Sequence, residues 1–220
     1  MPGLWVKICG MTSTGGIAAA AAAGADAVGF VFYEASPRKL SVADAQALQP
    51  DVPPGMARVA VFLHPSQALV HEVVGALRPD YVQIDLEDLA MLALPAGQQV
   101  LPVLRSGKFG SEPNFQPDPK FGSEPNYPPR VLFESGRSGQ GERADWTAAR
   151  ALAGRCELVL AGGLDVGNVA DAVRSVRPYG VDVSSGVERS RGVKDAARIR
   201  DFIWAARAAS AALASQETSA

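Results

Sequence analysis

A cysteine at the end of an apolar run is the first residue of this chain whose position suggests chemistry. Cys9 closes the β-rich run 4–9 and is followed by Gly10. Lys7 lies two residues earlier, so both side chains point to the same face of a strand. A buried ammonium group there would favour the thiolate form of Cys9. The alternative is that Cys9 is a small buried hydrophobic residue.

Two carboxylates lie in similar settings. Glu134 ends the apolar run 131–133, where an acid is costly unless it is exposed or functional. It is either a functional residue or a rim residue paired with an arginine such as Arg137 or Arg143. Asp182 lies inside another such run, where it would bind an amine of a ligand or make a structural hydrogen bond.

Other polar residues follow predicted strands. Gln83 and Asp85 share one face at a strand end, where either a ligand contact or a polar interior layer would explain them. Arg38 follows a Ser-Pro pair, and a rigid loop that presents a guanidinium suits a substrate carboxylate. An exposed surface arginine explains its position equally well.

Two glycine-containing turns near the C-terminus predict a phosphate site. Each of the runs 158–164 and 180–188 is apolar, ends in small residues and precedes a helical pattern. Such turns leave backbone N–H groups unpaired, and the dipole of a short helix would support them. The predicted phosphate-binding residues are Gly162, Gly163, Ser184, Ser185 and Gly186.

The elements that must position these residues alternate between strands and helices. Strands are predicted near 4–9, 27–32, 57–62, 80–84, 99–104, 130–134, 157–161 and 179–184. Helices are predicted near 14–23, 42–49, 66–77, 86–93, 146–153, 166–175 and 194–208. Eight such strands favour one parallel (β/α)8 TIM barrel over residues 1–208, with a doubly wound open sheet as the alternative. In a barrel the strand ends form the active site, and the last two loops bind phosphate.

Two segments depart from this alternation. Residues 106–129 are rich in proline and contain the sequence Lys-Phe-Gly-Ser-Glu-Pro-Asn twice. We expect an irregular excursion there in place of the fifth helix, either a tolerated surface insertion or a lid. Residues 209–220 are small and polar and are expected to form a flexible tail.

Composition narrows the class of protein. The 220 residues are 47% apolar with a net charge of −2, which suits one domain with a substantial core. The absence of a basic stripe argues against nucleic acid, and no apolar run suits a membrane span. Cys9 and Cys156 form no disulfide or metal pattern, and His64 and His71 lack ligand spacing and are interpreted as surface residues. We expect a cytoplasmic protein without a metal ion.

These motifs together resemble the phosphoribosylanthranilate isomerase family of tryptophan biosynthesis. The N-terminal cysteine motif and the C-terminal serine-glycine motif are specific in combination, whereas many phosphate-binding barrels share the glycine pair. The resemblance runs through the segments 6–12, 24–33, 36–38, 82–83, 160–164, 181–188 and 192–195.

The resemblance implies an Amadori rearrangement, in which an aminoaldose opens and becomes an aminoketose. It implies Cys9 as the general base at C2, with Glu134 at the position of the general acid. The implied substrate contacts are Lys7, Arg38, Gln83 and Asp182. Of these, Arg38 would meet the anthranilate carboxylate and Asp182 the bridging amine. The implied ligand is a small sugar phosphate, with no cofactor, and both a monomer and a homodimer fit the fold.

The chain departs from the family pattern in three places. Glu134 stands where the family has aspartate, and Ser138-Gly139-Gln140-Gly141 stands where it has Gly-Gly-Thr-Gly. The fourth strand ends in Gln83-Ile84-Asp85-Leu86 where the family has Gln-Leu-His-Gly. We expect these changes to alter one side of the mouth and to leave the phosphate end intact.

Two other functions compete with this interpretation. The histidine-pathway aminoaldose isomerase has a similar architecture but carboxylates at both strand ends, and Cys9 argues against it. A barrel that binds phosphate without catalysis is the alternative outside the enzymes.

Overall fold

Eight parallel strands form a closed barrel in which neighbours in the chain are neighbours in space, and β1 also pairs with β8. The computed structural model describes residues 3–105, 129–136 and 143–218. The strands are β1 (Trp5–Cys9), β2 (Ala27–Val31), β3 (Ala57–Val61), β4 (Tyr81–Asp85), β5 (Gln99–Arg105), β6 (Arg130–Glu134), β7 (Glu157–Leu160) and β8 (Gly180–Val183). The predicted (β/α)8 barrel is confirmed.

Helices follow most of the strands. They are α1 (Thr14–Ala22), α2 (Val42–Leu48), α3 (Gln67–Leu77), α4 (Leu86–Leu89), α5 (Trp146–Ala153), α6 (Val169–Val176) and α7 (Ala196–Thr218), with a 3-10 turn at Gln49–Asp51. Ser13, Ser41, Ser66 and Asp145 cap the N-termini of α1, α2, α3 and α5 by accepting hydrogen bonds from backbone N–H groups.

Two helices differ from their predictions. Helix α4 covers only Leu86–Leu89 instead of 86–93, since Pro95 and the left-handed Gly97 turn the chain away soon after. Helix α7 continues to Thr218, so residues 209–218 are helical where a flexible tail was predicted. Ala209 is buried against the core, and the alanine-rich sequence that follows favours a helix.

A small antiparallel hairpin, β9 (Glu188–Ser190) and β10 (Val193–Lys194), lies between β8 and α7. The sequence predicted the final helix to begin at 194 and a short helix to support the phosphate turn. Among the described residues after β8, the hairpin takes the place of that short helix. The predicted excursion at 106–129 lies outside the described residues, apart from residue 129.

The core has two parts because strand side chains alternate between the two faces of the barrel wall. Most buried apolar residues pack between the wall and the helices. A smaller cluster fills the lower barrel interior, with Leu101, Val103, Leu132, Val159 and Ala161 at its centre. In the described parts of the chain, no helix combines the length and apolar character needed to cross a bilayer.

Arg130 closes the interior at the N-terminal end of the strands. Its guanidinium donates to the hydroxyls of Tyr81 at 3.0 Å and Tyr179 at 2.6 Å, and to Glu157. It also stacks 4.3 Å from the centre of the Tyr179 ring and 5.5 Å from that of Trp5. This end of a barrel serves stability rather than chemistry.

We therefore expect Arg130→Met to lower the free energy of unfolding by roughly 2 kcal/mol, because the hydrogen bonds and the cation–π contacts are lost together. Urea denaturation measures the change. Arg174→Met is the matched control: Arg174 pairs with Asp171 on an exposed helix face, so its loss should cost under about 0.5 kcal/mol. Equal effects from the two variants would contradict the role of Arg130.

Candidate active site

A pocket of about 520 Å³ opens at the C-terminal ends of the strands. Its lining includes the last residues of four strands, all with ionisable side chains, because parallel strands all end at the same mouth. These are Cys9, Asp85, Arg105 and Glu134. The predicted residues that line the pocket are Cys9, Arg38, Gln83, Glu134, Gly162, Gly163, Asp182, Ser184 and Ser185. Lys7 and Gly186 were also predicted to bind substrate, but neither is among the lining residues.

Lys7 lies in the barrel interior, fully buried, beside the pocket. Its ammonium donates to Asp182 Oδ1 at 2.8 Å, and the two residues are direct partners in the β1–β8 register. Burial lowers the pKa of Lys7, but the Asp182 carboxylate and the Cys9 sulfur outweigh burial and raise it above its usual value. Lys7 is therefore a fixed positive charge beside Cys9.

The structure corrects the prediction that Lys7 makes Cys9 a thiolate. Burial raises the pKa of the Cys9 thiol, and this effect exceeds the lowering by the Lys7 ammonium. The thiol is thus protonated at neutral pH when the pocket holds no ligand. Spacing correctly placed the lysine beside the cysteine, but it could not give the cost of burying the sulfur.

The sequence offered two pairing partners for Glu134, and the described residues include one of them, Arg143. Arg137 lies outside those residues, and the Arg143 guanidinium stacks 3.7 Å over the Trp146 ring. Instead, Arg105 Nη1 donates to Glu134 Oε2 at 3.2 Å. Glu134 is mostly buried, so this contact fixes its position at the rim.

The same Arg105 also binds Asp85, and far more tightly. Its Nε and Nη2 atoms each donate to one Asp85 oxygen at 2.7 Å in a bidentate pair. Burial lowers the pKa of Arg105, but the two carboxylates outweigh burial and raise it. Asp85 is therefore a structural partner of Arg105, and Arg105 links the ends of β4, β5 and β6.

Arg38 lines the pocket but is held from behind by Glu188. Its Nε and Nη2 donate to the two Glu188 oxygens at 2.7 and 2.9 Å. Lys194 Nζ and the Gly192 N–H donate to the same carboxylate at 2.9 and 3.0 Å. Burial raises the pKa of Glu188, but these hydrogen bonds outweigh burial and lower it to about 2.

The glycine turns after β7 and β8 supply unpaired donors. Gly162 and Gly163 have φ values of +86° and +63°, which glycine adopts without strain. The N–H groups of Gly162, Gly163 and Ser185 donate to no other group in the described chain. At Gly186 a Cβ atom would lie 2.0 Å from the Leu164 carbonyl oxygen, so this glycine lets the two turns pack together.

Gln83 presents an unsatisfied acceptor to the pocket. The residue is 6% exposed, and its Oε1 atom has no hydrogen-bond partner among the residues that the structure describes. A buried amide oxygen without a partner costs free energy. A ligand hydroxyl or amine that reaches this atom would recover that cost.

The two histidines differ in location. His64 lines the pocket mouth, and its Nδ1 atom lies 3.0 Å from Asp88 Oδ2. Its ligand atoms, with those of Asp85 and Asp88, lie within 4.8 Å of one another. His64 is thus paired with Asp88, whereas both Asp85 oxygens accept hydrogen bonds from Arg105. His71 is exposed on α3, away from the pocket.

Comparison with known proteins shows the family to which this chain belongs. The family profile described as N-(5'-phosphoribosyl)anthranilate (PRA) isomerase matches residues 6–205. The chain belongs to this family. The N-(5'-phosphoribosyl)anthranilate isomerase of Bordetella pertussis is 40% identical over 206 residues, or 91% of this chain and 94% of that protein. The protein of that name from Pelobacter propionicus is 36% identical over 198 residues, or 90% and 93% of the two chains.

Solved structures of the isomerase family share the fold. Phosphoribosyl anthranilate isomerase from Thermotoga maritima superposes with a TM-score of 0.76 at 30% identity, covering 93% of this chain and 99% of that one. Another structure, with a TM-score of 0.73 at 30% identity and the same coverage, holds reduced 1-(o-carboxyphenylamino)-1-deoxyribulose 5-phosphate.

Within this family site, sequence reasoning missed Arg105, Glu188 and Lys194. The sequence could have indicated Arg105, since this residue ends a strand that lies between two strands whose last residues are acidic. Glu188 and Lys194 sit inside the motifs that carried the resemblance, but nothing in their spacing shows that they bind each other or Arg38.

The Cys9 pKa gives a direct prediction. In a Cys156→Ser background, the alkylation rate of Cys9 by iodoacetamide should still rise with pH above about 8.5, the ordinary thiol pKa. Cys9→Ala is the control that isolates Cys156, whose pKa burial raises to about 11. A rate that levels off near neutral pH would contradict the protonated thiol.

The Glu188 carboxylate should stabilise the fold in a pH-dependent way. Its pKa is lowered from 4.5 to about 2, so its contribution is present above pH 4.5 and is lost as the pH falls through 2. Between pH 5 and 2, the wild type should lose roughly 3 kcal/mol more unfolding free energy than Glu188→Gln. Denaturation at several pH values measures this, and parallel curves for the two proteins would refute it.

Proposed function

We propose that this pocket rearranges N-(5'-phosphoribosyl)anthranilate to 1-(2-carboxyphenylamino)-1-deoxyribulose 5-phosphate, with Cys9 as base and Glu134 as acid. The chain is an isomerase of the family that carries out this step of tryptophan biosynthesis. One observation carries the assignment of roles. Cys9 ends β1 and Glu134 ends β6, and the two strands between them around the closed barrel, β7 and β8, carry the glycine turns.

The phosphate binds at these turns. The unpaired N–H groups of Gly162, Gly163 and Ser185 supply donors of the kind that bind phosphate oxygens. Ser184 completes the turn, because its hydroxyl donates to the Cys9 carbonyl oxygen at 3.1 Å and ties β8 to β1. The phosphate is thus anchored between the acid and the base.

Glu134 opens the sugar ring. It donates its proton to the furanose oxygen as the C1–O bond breaks, and the nitrogen lone pair forms a protonated Schiff base at C1. Arg105 gives Glu134 a single contact at 3.2 Å and Asp85 two at 2.7 Å. The contact with Arg105 holds the Glu134 carboxyl group at the pocket rim, from which it can reach the ring oxygen as a general acid.

Cys9 first releases its thiol proton to solvent, and the thiolate then removes the proton from C2 and becomes a thiol again. The C2–H electron pair forms the C1–C2 double bond, the iminium nitrogen becomes neutral, and the product is an enolamine. The enolamine tautomerises to the ketone as C1 gains a proton and the C2 hydroxyl loses one. Lys7 stabilises the thiolate during this step, because its buried ammonium interacts with the sulfur.

Three further side chains orient the substrate. Asp182 gives one oxygen to Lys7 and keeps Oδ2 for the bridging amine. Arg38 gives two nitrogens to Glu188 and keeps Nη1 for the anthranilate carboxylate. Gln83 accepts from a sugar hydroxyl through its unpartnered Oε1 atom.

The proposal also includes the ligand class, the cellular location and the oligomeric state. The ligand is a small sugar phosphate, and the protein works in the cytoplasm without a nucleic-acid or membrane partner. Both monomers and dimers are compatible with it, since one solved relative from Thermotoga maritima is described as monomers generated from a dimeric isomerase.

A turnover assay on freshly generated substrate tests the two roles. Cys9→Ala and Glu134→Gln should each lower kcat by roughly 10²–10⁴-fold, the usual contribution of a general base or acid. Glu134→Asp retains the carboxyl group and should remain faster than Glu134→Gln. Cys156→Ala is the control. It removes the second cysteine, which does not line the pocket, and should keep the wild-type rate.

The outcomes separate the assignments. Near-wild-type kcat for Cys9→Ala would remove it as the base, and the same result for Glu134→Gln would remove the acid. A folded wild type that consumes no substrate would refute the proposed reaction as a whole.

A further inference from the structure

The charges around this pocket cancel one another almost completely. Among the described residues, the buried cations and carboxylates are mutually paired. The cations are Lys7, Arg38, Arg105 and Lys194, and the carboxylates are Asp85, Glu134, Asp182 and Glu188. The proposed substrate brings both a phosphate and a carboxylate into this balanced site.

Arg191 is the exception. It lines the pocket and is exposed to solvent, yet it makes no hydrogen bond or ion pair within the described chain. Arg38 and Arg105, the other arginines among the described lining residues, each hold a carboxylate through two nitrogens. The guanidinium of Arg191 is thus available to an incoming anion.

The backbone places Arg191 on the Arg38 side of the mouth. It lies in the turn between β9 and β10, directly before Gly192. The Gly192 N–H donates to the Glu188 oxygen that also accepts from Arg38 Nη2. A Cβ atom on Gly192 would lie 3.0 Å from the Pro37 carbonyl oxygen, so this turn packs against the loop that carries Arg38.

We infer that Arg191 is a substrate-binding residue that recognises the carboxylate on the aromatic ring, together with Arg38. This inference rests on the proposed function. Arg38 already gives two of its five N–H donors to Glu188 and shares its charge with that carboxylate. Arg191 has no such partner in the described chain, so its whole guanidinium can offer the bidentate pair of donors that carboxylates favour. The residue therefore sets specificity for an acidic ring over a neutral one and leaves the phosphate to the glycine turns.

Calorimetry with two ligands tests this inference. One ligand is reduced 1-(o-carboxyphenylamino)-1-deoxyribulose 5-phosphate, and the other is the same compound made from aniline, without the carboxylate. Arg191→Gln should weaken the first roughly tenfold and the second less than twofold, as expected for one lost charge-assisted contact. In turnover, KM should rise by a similar factor while kcat stays within about twofold, because the contact is remote from C1 and C2.

Arg189→Gln is the matched control, since Arg189 is exposed on the same hairpin but is not among the pocket-lining residues. It removes the same charge and should leave both affinities unchanged. Equal weakening of both ligands by Arg191→Gln would overturn the inference in favour of a phosphate contact, and no weakening would overturn it outright. A wild type that binds neither ligand and shows no turnover would instead refute the proposed function and this inference together.

Discussion

The pairing of β1 with β8 is the interaction on which the site depends. It joins the first and last strands of the barrel, and its register sets Lys7 directly opposite Asp182. The 2.8 Å contact between them is therefore a consequence of barrel closure and not of local sequence. One residue layer higher, the Ser184 hydroxyl meets the Cys9 carbonyl oxygen. The proposed base and the phosphate turn are thus held by the same closing strand pair.

Buried charge is tolerable here because each buried charged group among the described residues has a partner. An ammonium as buried as that of Lys7 is strongly unfavourable alone, and removing one member of a buried pair leaves the other uncompensated. This explains why each proposed ligand-binding side chain that is charged forms an ion pair with an oppositely charged group behind it. Arg38 is positioned by Glu188 and Asp182 by Lys7, so each side chain presents its remaining polar atom in a fixed direction.

The architecture and the location of the site could be predicted from the sequence. Alternating β-rich and helical patterns predicted the barrel, and the last residue of each parallel strand had to lie at one mouth. That reasoning placed Cys9 and Glu134 at the pocket. It also placed Gln83 on its wall, since two-residue spacing sets which face a side chain takes.

What the sequence could not predict were the pairings and their electrostatic consequences. Arg38 and Glu188 are separated by 150 positions, and their contact depends on how the β9–β10 hairpin folds over the second loop. The protonation of Cys9 depends on two opposing effects, burial and the Lys7 charge, and only the three-dimensional environment gives their balance. Helix α7 extends beyond its predicted end, because burial of Ala209 stabilises it in addition to the helix propensity of the alanines.

The structure connects two departures from the family pattern that are far apart in the sequence. Asp85 replaces a histidine and Glu134 replaces an aspartate, and both carboxylates bind the guanidinium of Arg105, on the strand between them. A glutamate reaches one methylene further than an aspartate, and here that reach ends at Arg105. The bidentate contact of Asp85 fixes this arginine, and the arginine in turn holds the longer acid at the rim. The two replacements are therefore best understood as one arrangement, in which Asp85 supplies the support for Glu134.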